Sequence, residues 1–325
     1  MAKTIALTGT TGFIGPHVIR RLLADGHRLS CLVRPGRSYE ALPGVRYCEG
    51  SLEDAKSLKA LLDGADTLVH LAGLTRAKSE EQFMAVNCLA VRTLIEAGLA
   101  ASPRFSHIVA MSSLAAVGPA RDERGVCEDE PPTPLTPYGR SKAALEELLK
   151  RYEPRVAWTA IRAPGVYGPG DRDFYEYFKL IKRGYRVVLG KRNVLSLVYV
   201  ENLADAVALA VERPEARNEA FFIADDGAYD WDDIGAMIER AFGVQARRVT
   251  VPFWAVRVAS LLSRAIAPLS KKPILLTKDK LLEMCQEYWV ASTAKAGALL
   301  GYRPGISTSD GFRRTATWYE ERGWL

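Results

Sequence analysis

Tyr138 and Lys142 stand four residues apart at the start of a stretch with helical spacing, so their side chains share one face. An ammonium held beside a phenol stabilises the phenolate and lowers the phenol pKa from about 10 toward the working pH. Such a phenol can give a proton to a carbonyl oxygen or take one from a carbinol. Near the start of the chain, Thr8-Gly9-Thr10-Thr11-Gly12-Phe13-Ile14-Gly15 points to a different task. Its glycines allow a tight turn, the approach of a pyrophosphate to bare backbone, and close packing of helix on strand. Together the two strings describe a dinucleotide site with a proton donor.

These residues need elements that hold them, and the hydrophobic pattern supplies a regular set. Thr4–Thr8 reads as a buried strand and 16–24 as a helix with Val18, Ile19, Leu22 and Leu23 at helical spacing. The phosphates of a dinucleotide would then meet the positive end of that helix. Further strands are expected at 28–33, 45–50, 67–71 and 107–111, with helices at 52–62, 83–97 and 138–149. Strand and helix in alternation imply an α/β fold with a doubly wound parallel sheet, whose ligands bind beyond the carboxyl ends of the strands. Ser113 lies at one such end. Arg34 ends the second strand, where an NAD site would place a carboxylate, and with Arg37 and Ser38 it points to the 2′-phosphate of NADP.

The chain resembles the extended short-chain dehydrogenase/reductase family, also called the NAD-dependent epimerase/dehydratase family. Gly9, Gly12 and Gly15 match the phosphate turn, Leu71-Ala72-Gly73 the segment beside the adenine ribose, and Tyr138 and Lys142 the Tyr-x-x-x-Lys pair. Residues 161–171, with Pro164, Gly165 and Val166, are similar to the strand and loop beside the nicotinamide, and Tyr199-Val200-Glu201-Asn202 to a later signature of the substrate domain. The resemblance implies a Rossmann-type domain over 1–165 and a smaller substrate lobe over 166–325, with chain around 190–220 returning to the first domain. It implies Ser113, Tyr138 and Lys142 as catalytic residues, with Ser112 as an understudy to Ser113. It also implies a cofactor set of Gly9, Thr11, Gly12, Phe13, Ile14, Gly15, Arg34, Ser51, Leu52, Leu71, Ala72, Gly73, Pro164, Gly165 and Val166, joined by Tyr138 and Lys142.

Three functions stay open on this resemblance. Nucleotide-sugar epimerases and dehydratases of the family tend to carry an asparagine at the place of Gly165 and an arginine at that of Leu195, although Lys191 and Arg192 stand close by. Without those handles the pattern is more similar to the hydroxysteroid-dehydrogenase and dihydroflavonol-reductase branch, which implies an NADP(H)-dependent exchange of a hydrophobic ketone and a secondary alcohol. The alternatives are an epimerase or dehydratase with retained NAD, and a non-catalytic NADP sensor or assembly factor.

Composition narrows the setting. Cys31, Cys48, Cys88, Cys127 and Cys285 form no Cys-x-x-Cys pair, which suits a reducing compartment, and a cytoplasmic protein is expected. His17, His27, His70 and His107 are scattered and lack the paired spacing of a zinc site, so no metal is expected. Residues 246–280 carry a local net charge of +7 around an apolar helix candidate at 252–267. That segment suits a substrate lobe, the surface of an anionic membrane or an acidic carrier; no nucleic-acid module accompanies it. Residues 118–137 read as a loop over the substrate. The helices at 83–97 and 138–149, with Val86, Leu89, Leu94, Leu145 and Leu148, are expected to form a four-helix homodimer interface.

Overall fold

A computed structural model describes residues 2–255 and 278–325. Seven strands build the central sheet: β1 (Thr4–Thr8), β2 (Arg28–Val33), β3 (Val45–Glu49), β4 (Thr67–His70), β5 (His107–Ser113), β6 (Ala157–Ala163) and β11 (Glu219–Phe222). All pair in parallel in the order β11-β6-β5-β4-β1-β2-β3. The order reverses between β1 and β4, and the crevice at such a switch point is where this class of sheet binds ligands.

Helices cover both faces. On one side α1 (Gly15–Ala24) and α7 (Val200–Glu212) bury Val18, Leu22, Leu203 and Val207 against the sheet. On the other, α2 (Ala55–Leu62), α4 (Ala90–Ala101) and α5 (Pro137–Tyr152) bury Leu58, Leu61, Leu94, Ile95, Leu145 and Leu149. The return from the lobe is longer than expected, because β11 forms the sheet edge and Ala296, Leu300 and Tyr302 join the core beneath α7.

The helices start where their caps allow. The second begins at Ala55 and not at Leu52, because the Asp54 carboxylate accepts from Lys56 N at 3.0 Å. The third begins early, at α3 (Glu80–Met84) behind the Ser79 cap, and passes through a π-helical turn, Ala85–Leu89, before α4. Glu80–Ala101 is apolar enough to cross a membrane by length and composition, yet Val91, Leu94 and Ile95 are fully buried in the sheet layer. The same packing removes Leu94 and Leu145 from any dimer face; of the expected positions, Leu89 is 47% exposed.

The lobe is a separate aromatic core. Its elements are α6 (Tyr175–Lys182), α8 (Trp231–Phe242) and α10 (Thr308–Glu321), with the short strands β7 (Gly165–Tyr167), β8 (Tyr185–Leu189), β9 (Val194–Leu195), β10 (Leu197–Tyr199), β12 (Arg247–Val251) and β13 (Tyr288–Trp289). Tyr167, Phe178, Tyr199, Phe312 and Tyr319 pack ring against ring inside it. A further helix, α9 (Lys278–Met284), precedes β13. Most of the 252–267 helix candidate lies outside the described residues; of its described part, Trp254 is 69% exposed.

Candidate active site

Tyr138 and Lys142 sit in the first turns of α5, which Thr136 caps by accepting from Gly139 N at 3.1 Å. A Cβ at Gly139 would overlap the Ala115 carbonyl, so glycine lets this turn lie on the short 3₁₀ turn that follows Ser113. Ser113 is thereby brought to Tyr138. Its hydroxyl accepts from Ala115 N at 3.1 Å and hydrogen-bonds the phenol, drawing the tyrosine pKa down. Burial is the larger effect and holds the phenol above its ordinary value, with Glu283 of α9 adding to the rise.

This departs from the expectation that Lys142 keeps Tyr138 acidic. The ammonium turns to the Met111 carbonyl, at 2.6 Å, and is almost fully buried. Burial lowers the lysine to about 8, with Glu146 opposing the fall. His70, at the end of β4, is pushed down to about 3 by burial and by Lys142, so it is neutral; its Nδ1 meets Thr8 Oγ1 at 2.8 Å.

Two further residues change the picture drawn from sequence. Asn87, on the π-helical turn, is fully buried; its amide oxygen accepts from Leu74 N at 2.7 Å, and its Nδ2 donates to Ser141 Oγ at 3.0 Å. A Cβ at Gly73 would lie 3.1 Å from Asn87 Oδ1 and 3.3 Å from Lys142 Nζ, so Asn87 and the lysine share the floor of the site. Nothing in the sequence around Asn87 marks it, because an extra residue in a helical turn leaves no periodic signal. Ser112 is no understudy: it is 2% exposed and its hydroxyl donates to Glu146, away from the phenol.

The glycine turn forms the other half of the site. Gly9 has φ +76°, and a Cβ there would lie 2.5 Å from Ala72 N and 2.6 Å from Leu71 C, which locks the turn onto the segment after β4. Gly15 would place one 2.5 Å from Thr10 O. Thr11, Gly12, Phe13 and Ile14 span the turn, and Ile14 opens α1. A cavity lined by Thr10, Thr11, Ser38, Tyr39, Leu42 and Tyr47 adjoins it, at the end of β2. Arg34 is exposed beside that cavity, in the turn closed by Arg37 N donating to its carbonyl at 3.1 Å. Ser51 and Leu52 are half-buried after β3, and the Ser51 hydroxyl accepts from Glu53 N at 3.3 Å.

This cradle fits a nicotinamide dinucleotide. The turn offers bare backbone at a helix start, and Lys142 reaches the Met111 carbonyl on β5, two strands from β1 in the sheet.

Pro164 joins β6 to β7, which Gly165 and Val166 open. Gly165 is exposed, and a Cβ there would come within 3.1 Å of Leu197 Cδ2 and 3.8 Å of the Phe174 ring, so a side chain at the place of a diphosphate-binding asparagine would meet two apolar neighbours. Leu195 pairs with Trp289 in β13. Arg192 is ion-paired with Glu123 at 2.5 Å, and Lys191 donates to the Cys285 carbonyl, so both cations have protein partners. The Tyr199–Asn202 signature turns out to be a joint. Asn202 donates to Asp225 Oδ1 at 2.7 Å and accepts from Gly305 and Ile306 N at 3.1 and 3.0 Å, while Tyr167 donates to Asp225 Oδ2 at 3.1 Å. Residues 118–137 are tied down by Val126, which bridges to Ala291, and by Ala120, which bridges to Tyr288.

One group among the described residues has the make-up of a metal site: Asp25, His27 and Glu212, with ligand atoms within 4.8 Å of one another. Lys3 N donates to His27 Nδ1 at 3.2 Å, which leaves the proton of the neutral ring on Nε2 and denies a metal its lone pair.

The chain is 30% identical to a ceramide reductase of Caulobacter vibrioides, over 99% of this chain and 96% of that protein. It is 27% identical to a 4-hydroxy-2-methyl-3-oxo-4-farnesyl-3,4-dihydroquinoline-1-oxide ketoreductase of Stigmatella aurantiaca, over 83% of each. Its fold matches the Thermus thermophilus UDP-glucose 4-epimerase in complex with NAD, with a TM-score of 0.77 at 22% identity over 99% of this chain and 100% of that one. The sequence pattern of the NAD dependent epimerase/dehydratase family matches residues 5–224. The chain therefore belongs to the NAD dependent epimerase/dehydratase family, as an NAD(P)-dependent dehydrogenase or reductase.

Proposed function

We propose that this protein interconverts a hydrophobic ketone and the matching secondary alcohol with NADP(H), which it binds and releases in each turnover. The observation that carries this reading is the packing at Gly165, where Leu197 and Phe174 stand in place of polar ligands for a diphosphate. A diphosphate set there would lose charge-assisted hydrogen bonds worth about 1.5–3 kcal/mol each. The end-to-end likeness to a ceramide reductase supports an apolar substrate.

In this reading Tyr138 gives its proton to the carbonyl oxygen, and the Ser113 hydroxyl hydrogen-bonds the same oxygen as charge develops. Lys142 holds the nicotinamide ribose. The bound nicotinamide supplies hydride in reduction and accepts it in the reverse direction. Arg34, exposed at the end of β2, pairs with the 2′-phosphate.

Fluorescence titration with NADPH and NADH, followed by a screen of long-chain and polycyclic ketones beside UDP-hexoses, tests the proposal. NADPH is expected to bind at least about tenfold tighter, ~1.4 kcal/mol, with Arg34→Ala erasing the difference. A purified protein that retains NAD and interconverts a UDP-hexose without net redox change overturns it.

A further inference from the structure

Glu146 lies on α5 four residues beyond Lys142 and eight beyond Tyr138, on the same helix face. It is 4% exposed, and its carboxylate is filled by partners. Arg162 of β6 donates through Nε to Oε1 at 3.1 Å and to Oε2 at 3.2 Å, and through Nη2 to Oε2 at 2.8 Å. The Ser112 hydroxyl donates to Oε1. Arg162 also donates through Nη1 to the Glu128 carbonyl at 3.3 Å, and Glu128 Oε1 accepts from Phe222 N at 2.8 Å.

The strand register gives this knot its meaning. Ser112 and Arg162 face each other across β5 and β6, and the next pair in the ladder is Ser113 with Ala163. One carboxylate therefore ties together the helix that carries Tyr138 and Lys142, the strand that ends in Ser113, and the strand that leads into Pro164 and Gly165. A buried ion pair is a poor way to gain stability, since apolar residues of like volume often serve as well. Its position, one turn from the lysine, calls for another reason.

We propose that Glu146 is a positioning residue for the reaction: with Arg162 and Ser112 it sets α5 against the two strand ends, and its charge keeps Lys142 an ammonium. The groups that act on the lysine are Glu146 on α5, the neutral His70 on β4, and Arg162 on β6 behind Glu146; Glu283 on α9 acts on Tyr138. Among the described residues, Glu146 is the acid that opposes the effect of burial on Lys142. The inference rests on the role proposed above for Lys142, and its test reads the lysine itself.

The test is a pH titration of the ¹³C-lysine NMR signal of Lys142, assigned with Lys142→Met, in the full chain and in two variants. Glu146→Gln keeps the shape and removes the charge; Glu146→Leu with Arg162→Met removes the pair while conserving apolar volume, and covers the case in which the single variant does not fold. The Lys142 inflection is expected to move down by about 1 pH unit in Glu146→Gln, and by less in the double variant, where the Arg162 charge is also gone. NADPH affinity should fall about fivefold at pH 8 in Glu146→Gln and stay near wild type at pH 6. An unmoved inflection in the folded variants, or an affinity lost equally at both pH values, overturns the proposal. Failure of the ketone reaction in the screen above would overturn the proposed function while leaving this titration intact.

Discussion

Tyr138 holds its proton at neutral pH as an ordinary phenol does, and burial, which outweighs the hydrogen bond from Ser113, raises it further; a protonated phenol is the form that reduction of a carbonyl requires. Tyr138→Phe is therefore expected to cut turnover by about a hundred- to ten-thousandfold while leaving the cofactor affinity within about twofold; steady-state rates and NADPH titration check the two halves. Lys142 adds a pH dependence. Its folded value of about 8 lies below the ordinary lysine value, so the ammonium is complete at pH 6 and is lost as pH rises through 8. Cofactor affinity in the free enzyme should weaken across that window and be flat in Lys142→Met, as read by NADPH fluorescence between pH 6 and 9.5.

At the scale of elements, the site depends on two backbone approaches that only glycine permits. Gly9 lets the turn after β1 touch the segment after β4, and Gly139 lets α5 settle on the turn after β5. Gly9→Ala meets both a positive φ and the backbone of Leu71 and Ala72, so it should cost about 1–3 kcal/mol of stability and weaken cofactor binding with it. Thermal unfolding with and without NADPH measures both. A wild-type melting temperature in Gly9→Ala would show that the turn is not held in this way. The π-helical turn at Ala85–Leu89 is a third device, since it aims Asn87 at the lysine side of the site.

For the molecule as a whole, the exposed Leu89 and the partly exposed Val86 on the π-helical turn, with the partly exposed Leu148 of α5, remain as apolar surface once Leu94 and Leu145 are buried. We propose that this surface pairs two copies. Light scattering at micromolar concentration should report a dimer, and Leu89→Arg should shift it to a monomer by burying an unpaired charge. Trp254 is exposed and lies within the stretch 246–280, whose sequence carries a local net charge of +7. We propose contact there with anionic lipid: vesicles containing phosphatidylglycerol should shift the tryptophan emission to the blue, and neutral vesicles or Trp254→Phe should show no such change.

What the sequence by itself determined is the set of local features. The glycine spacing, the Tyr138–Lys142 interval and the alternation of apolar runs act within a few residues, through backbone freedom and helical geometry, so they announced the parallel sheet and the phosphate turn. Tertiary structure decided what depends on strangers in the chain. Ser112 and Ser113 are adjacent and chemically alike, yet the pleat of β5 turns one to Glu146 and the other to Tyr138. Asn202 reads as a substrate signature and serves as a joint, because Asp225 and Ile306 meet it from distant segments. Glu146 looks like any exposed helix acid until β6 brings Arg162 against it. Burial and charge pairing are properties of what packs on a residue, and only the folded chain supplies those neighbours.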